Sequence, residues 1–218
     1  MSAGHARVIS ALVKDAARVQ ERRARIAEAA ARVFREKGFH GATIRDVGEA
    51  AGLTQGTLYN YIRSKDDILY LVHRDLTARY AADVERAIDG LSDPRARLRA
   101  AIRAFVRAMR ERHADIALIY QETHALGPES LRAVLAQTEA FIALFQRLVD
   151  AARADGMPLS GAPRLAADIA TFLPVMLALR RWRLRHLIDG ENAEAEVVAF
   201  LLRGLGCSEE AEEVADGA

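Results

Sequence analysis

Two very short capped helices, parted by a glycine, lie between Thr43 and Ile62, and few folds accommodate that pattern. Thr43 stands where a cap belongs, and Asp46 follows at capping-box spacing, so a helix runs from Ile44 to Ala51. Gly52 stops it. Thr54 caps the next helix, from about Gln55 to Ile62. Ile44, Val47 and Ala51 can then face Leu58 and Ile62, with Leu53 plugging the turn. Small Ala50 and Gly52 are expected to let the two helices approach closely. The result is a helix, a tight turn and a second helix.

The flanking segments are helical too. Ile26, Ala29, Ala30, Val33 and Phe34 form one apolar stripe on a helix from Glu21 to Lys37, closed by Gly38. Ser64-Lys65-Asp66-Asp67 repeats the capping pattern and opens a longer helix to about Ile88. Asp93-Pro94 starts another, to about Glu111. Further helices are expected over 114–126, 129–154, 164–188 and 193–205, with breaks at Gly127-Pro128 and Asp155-Gly156-Met157-Pro158. Pro174 either kinks the penultimate helix or delays its start. No segment alternates as a strand does, and no repeat is present. The fold class is therefore all-α: an N-terminal helix-turn-helix three-helix bundle with a larger C-terminal helical domain. The expected divisions are an arm at 1–20, the helix-turn-helix domain at 21–66, a ligand-binding and dimerisation domain at 67–207 and an acidic tail at 208–218.

Apolar residues make up 51% of the 218, enough for a core without staples. Cys207 stands alone, which excludes an internal disulfide and a cysteine metal cluster. Net charge is +1, so bulk electrostatics do not identify a nucleic-acid binder. Locally, Arg18, Arg22, Arg23, Arg25, Arg32, Arg35 and Lys37 gather early. That cluster suits solvated helix faces and phosphate contact equally. No apolar run reaches membrane-spanning length and no signal-peptide pattern follows Met1, which leads to a cytoplasmic expectation without a membrane partner. His40, His73, His113, His124 and His186 are scattered without metal spacing, and no nucleophile elbow, phosphate loop or dinucleotide fingerprint is present. No catalytic residue, metal site or cofactor is expected, and no enzyme.

The second short helix starts polar, with Thr54, Gln55 and Thr57 around Gly56. Such an end can enter a major groove. Gln55 matches an adenine edge, and Thr57 can offer its hydroxyl or methyl to thymine. Its first backbone N–H groups also favour a nearby phosphate. Arg45 can reach a guanine edge or a phosphate, and Tyr59, Tyr61 and Lys65 can reach phosphates. Packing offers other readings: Thr54 as a cap, Tyr59 and Tyr61 as core aromatics, Arg45 as solvated surface. Gln55 is the residue packing explains least. A helical scaffold or ligand-binding protein that does not touch DNA is the alternative class.

Thr43-Ile44-Arg45-Asp46-Val47, then Ala50 through Ile62, then Ser64-Lys65-Asp66-Asp67-Ile68-Leu69, resemble the TetR/AcrR family of transcriptional regulators. The likeness is strong over about 21–72 and rests on Gly56-Thr57-Leu58-Tyr59 with Ser64-Lys65. Ile62 departs from the phenylalanine common there but keeps an apolar plug. The resemblance implies base contacts from Arg45, Gln55, Gly56 and Thr57, and phosphate contacts from Tyr59, Tyr61 and Lys65. It implies a homodimer on palindromic double-stranded operator DNA, paired through the last two helices, with Ile169, Phe172, Leu173, Val197, Phe200 and Leu201 as candidate contacts. It also implies a repressor released by a small-molecule effector bound in the helical body.

For that effector, Ile116, Ile119, Tyr120, Phe141, Phe145, Leu148, Phe172, Met176 and Leu179 can line an apolar cavity, although core packing explains most of them. Arg180-Arg181-Trp182-Arg183-Leu184-Arg185 adds four arginines around one indole. Guanidinium groups take phosphate bidentately and an indole offers a face for stacking. Some TetR-like regulators with a similar C-terminal layout sense acyl-coenzyme A thioesters, with Arg181, Trp182 and Arg185 here as head-group candidates. A solvated helix end, or salt bridges to Glu191, Glu194 or Glu196, explains the same cluster. An apolar or aromatic small molecule is the alternative effector.

Overall fold

The computed structural model describes residues 16–159, 161–188 and 193–207. The expected acidic tail and most of the expected arm lie outside them. All regular structure among the described residues is helical, and no strand occurs there. The order is α1 (Ala16–Lys37), α2 (Ile44–Ala50), α3 (Gln55–Tyr59), α4 (Lys65–Ile88), α5 (Pro94–Glu111), α6 (His113–Glu122), a 3-10 turn (Thr123–Ala125), α7 (Pro128–Ala154), α8 (Pro163–Phe172), α9 (Val175–Leu179), α10 (Arg181–Ile188) and α11 (Ala193–Gly204). The chain is all-α, with an N-terminal helix-turn-helix and a larger C-terminal helical part. It forms two compact units, one from residues up to 78 with 114–138, the other from 79–113 with 139 onward.

In the first unit the stripe of α1 is core: Ile26, Ala29, Ala30, Val33 and Phe34 are all buried, with Val47, Leu58 and Ile62 among the buried residues opposite. Phe39 meets Phe34 edge-to-face at 5.2 Å between ring centroids, which closes the end of α1. α1 begins upstream of the expected Glu21, and α3 ends before the expected Ile62.

Gly52 makes the turn at φ +66, a region costly for residues with a Cβ. The close approach lies at Gly48 rather than at Ala50, which is exposed. A Cβ on Gly48 would stand 3.3 Å from both the Leu53 carbonyl oxygen and Leu58 Cδ2. Gly48 sits on the inner face one turn before the bend, so it controls the spacing of α2 and α3.

The second unit packs around four rings. Tyr80 and Phe141 lie 4.8 Å apart between centroids, and Phe105 and Phe141 lie 4.9 Å apart. Phe145 completes the group at 5.3 Å from Phe141. Asp93 caps α5 by accepting from Ala96 N at 2.7 Å, with Pro94 at the first helical position, as its sequence implies. Glu194 of α11 pairs with Arg110 and Arg107 of α5, at 3.0 and 3.3 Å. Pro174 breaks the penultimate helix outright. It sits in a turn between α8 and α9, and a second short break at Arg180 precedes α10.

Candidate nucleic-acid interface and effector region

Thr43 and Asp46 form a full capping box. Asp46 Oδ2 accepts from Thr43 N at 2.8 Å, and Thr43 Oγ1 accepts from Asp46 N at 3.1 Å. Lys37 donates to Asp46 Oδ1 at 2.6 Å. That hydrogen bond, joined by those from Thr43, holds the Asp46 carboxyl far below the usual range. The start of α2 is thereby tied to the end of α1.

Thr54 Oγ1 accepts from Thr57 N at 3.2 Å, and the two hydroxyls are 2.9 Å apart. With the cap satisfied internally, Gln55 is exposed and has no polar partner among the described residues. A Cβ placed on Gly56 would meet nothing within 4 Å. The protein's own packing therefore does not require a glycine there. Tyr59 is exposed. Arg45 is exposed and donates from Nε to Glu49 at 2.8 Å.

Two expected phosphate contacts are placed differently. Tyr61 is 4% exposed and belongs to the core of its unit. Lys65 is half-buried: Nζ donates to the His40 carbonyl at 3.2 Å and lies 4.5 Å from the centre of the Phe39 ring. Burial lowers its pKa, against the attraction of Glu122 and Asp46. Arg63 was not anticipated. Its side chain is exposed between α3 and α4, and its N–H donates to Asp67 Oδ2 at 2.7 Å. The only hint in the sequence is its place just before the Ser64 cap.

Part of the early basic cluster has a structural task. Arg23 donates to the Tyr61 carbonyl at 3.3 and 3.4 Å, Arg25 to that of Ala51 at 3.2 Å and Arg32 to that of Ala50 at 3.2 Å. Carbonyls at helix ends lack partners within the helix, and a guanidinium supplies them. α1 thus clamps the ends of α2 and α3, which makes the pair a rigid head.

The residues expected at an effector are less uniform. Tyr120 lies in the first unit and is exposed. In the second unit Phe141 and Phe145 are buried in the ring cluster. Met176, Leu179 and Arg181 are half-buried, whereas Phe172 is 62% and Trp182 77% exposed. The Arg185 side chain and Glu191 lie outside the described residues. Glu194, one of the acids expected to neutralise the arginine cluster, instead faces Arg107 and Arg110. A polar cleft of about 350 Å³ lies between α4 and α5, lined in part by Asp83, Arg86, Arg107 and Arg112.

Residues 26–70 match the tetR family of bacterial regulatory proteins, and 91–182 match the tetracycline repressor-like C-terminal domain. The first match spans the capped pair, and the two together exceed half of the chain. The chain belongs to the TetR family of transcriptional regulators. Among curated relatives, the transcriptional regulator HbdR of Aromatoleum sp. strain CIB is 32% identical over 126 residues, 58% of this chain and 55% of that protein. The matched segment thus spans little more than half of that relative. A TetR-family protein from Rhodococcus RHA1 superposes with TM-score 0.74 at 23% identity, covering 87% of this chain and 99% of that one. AibR, solved with isovaleryl coenzyme A and operator DNA, superposes with TM-score 0.68 at 18% identity, covering 85% and 98%. At those identities the two structures establish the TetR fold.

In this TetR-family chain several large apolar residues of the second unit face solvent: Leu165, Ile169 and Phe172 on α8 and Phe200 on α11. Of the other expected pairing residues, Leu173 and Val197 are half-buried and Leu201 is buried as core. No helix among the described residues is long and apolar enough to cross a membrane.

Proposed function

We propose that this TetR-family protein is a homodimeric repressor that reads a palindromic operator with the start of α3 and is released by a small-molecule effector. The observation that carries the reading is the edge Thr54–Thr57. Its cap is satisfied, Gln55 is exposed without a polar partner among the described residues, and space is open at Gly56. Gln55 and Thr57 read bases and Gly56 brings backbone close, with Arg45 at a base edge or phosphate. Tyr59 and Arg63 hold phosphates. Lys65 adds positive charge beside the groove while staying anchored to His40. Thr54 caps, and Tyr61 is assigned to the core rather than to DNA.

One short helix reads only a few base pairs, so two copies related by a two-fold axis are needed, at half-sites about 34 Å or a multiple apart. The exposed apolar residues of α8 and α11 supply the pairing surface. The protein works in the cytoplasm, where the operator is. Footprinting of the purified protein across genomic DNA tests the reading. It should yield a palindrome with half-sites one turn or more apart, and failure to enrich any sequence would contradict it.

For the effector we favour an acyl-coenzyme A thioester, with the apolar side chains around Met176 and Leu179 near the acyl part and Arg181, Trp182 and Arg185 at the head group. The arginine and tryptophan chemistry supports this, as does the fold shared with AibR, which was solved with such a thioester. Binding must favour one dimer geometry to release DNA. Titrating short-chain and long-chain acyl-coenzyme A into a protein–operator complex should release DNA with at least one of them. Release only by an apolar molecule lacking the coenzyme would redirect the assignment.

A further inference from the structure

We propose that His40, Glu122 and His124 form a binding site for a divalent ion of the zinc class. His40 is far in sequence from Glu122 and His124, yet the three converge within the first unit: one ligand atom from each lies within 4.8 Å of those of the other two. His40 stands in the segment between α1 and α2. Glu122 closes α6, and His124 sits in the 3-10 turn behind it. His40 Nε2 and Glu122 Oε2 are 3.4 Å apart. Two ligands each about 2.1 Å from one tetrahedral ion stand ~3.4 Å apart, so this pair already has the spacing the ion needs. His124 lies within 4.8 Å of both and is exposed, so a change of side-chain rotamer can close the set.

The chemistry of the donors selects the ion. Two imidazoles and one carboxylate suit zinc, with copper as a tighter competitor, while calcium and magnesium prefer oxygen throughout. Glu122 Oε2 is buried and accepts no hydrogen bond, so its lone pairs are free for a cation. An ordinary His40–Glu122 ion pair explains the site less well. His40 is 75% exposed, where such a pair contributes little, and the pair leaves the approach of His124 without a cause. Lys65, whose charge Glu122 attracts, is engaged by the His40 carbonyl and the Phe39 ring. Three protein ligands leave the fourth position to water.

An ion held there would pin the segment leading into α2 to the end of α6, across more than eighty residues of chain. The test uses the full chain stripped of metal. Cobalt(II) serves as the spectroscopic probe, and zinc(II) displaces it. The wild type should bind one equivalent with tetrahedral cobalt absorption and gain thermal stability with zinc. His40→Ala, His124→Ala and Glu122→Gln should each weaken that equivalent at least tenfold while the metal-free melting temperature of the two exposed histidine variants stays unchanged. Absence of a bound equivalent overturns the proposal. So does an equivalent retained undiminished in any one of the three variants.

Discussion

Asp66 receives the hydroxyl of Ser130 on Oδ2 at 2.6 Å, while its Oδ1 takes the N–H of Gly127, also at 2.6 Å. A side chain from the first turn of α4 thus caps α7, whose own sequence, opening Gly127-Pro128-Glu129, offers no serine, threonine, asparagine or aspartate at that place. Hydrogen bonds to a carboxylate are the strong kind, and these are half-buried. The beginning of the helix that follows the reading head is locked to the beginning of α7.

Replacing Asp66 with alanine removes that cap and leaves Ser130 without this partner. The expected cost is about 1–2 kcal/mol in urea unfolding, with an unchanged slope against denaturant. A loss below the error of the measurement would show that the contact does not stabilise the fold.

Gly56 offers a cleaner separation of fold from function. Alanine there meets nothing in the free protein, and its helix propensity exceeds that of glycine by up to about 1 kcal/mol. Gly56→Ala should melt at or above the wild-type temperature, yet bind the operator at least about tenfold more weakly, because the added methyl would fill the open space proposed for DNA. Normal operator affinity would show that DNA does not approach at that point.

His73 predicts a pH dependence. It is 4% exposed, and burial lowers its pKa from 6.5 to about 4. Between those values the unfolded chain takes up the proton that the folded chain refuses. This contribution to stability is complete above pH 6.5 and declines as pH falls toward 4, by about 3 kcal/mol in all. His73→Gln should flatten that part of the stability curve. An unchanged curve would place the titration elsewhere.

Phe200 tests the pairing surface. It is 63% exposed in the single chain, so a charge there leaves the core untouched. Phe200→Glu should fold normally and sediment as a monomer at concentrations where the proposed wild-type dimer forms, a loss of about 2 kcal/mol or more in association. A dimer of unchanged affinity would move the interface away from α11.

Much of the fold was legible because its signals are local. The stripe Ile26 to Phe34, the capping box at Thr43, the Thr54 cap and the Asp93-Pro94 start each report within one turn of helix. Long-range placement was not legible. Tyr61 looked able to face phosphate because tyrosine suits both core and rim, and only its burial in the first unit, with Arg23 of α1 on its carbonyl, decides between them. Arg23, Arg25 and Arg32 read as a charge cluster, whereas each ends on a backbone carbonyl at or just beyond the end of α2 or α3. Ala50 and Gly52 were the small residues expected at the close approach, whereas the side of α2 that faces α3 places it at Gly48. His40 and His124 are distant in sequence, so no spacing rule could have joined them. Pro174 left two outcomes open, and the adjacent turn realised a break.

Operator reading depends on α3 presenting Gln55 to base edges. The most direct measurement compares wild type and Gln55→Ala on the footprinted operator and on a scrambled duplex at one salt concentration. The expected result is a loss of about 1–3 kcal/mol on the operator and almost none on the scrambled duplex. An equal loss on both, or no loss on either, would contradict it.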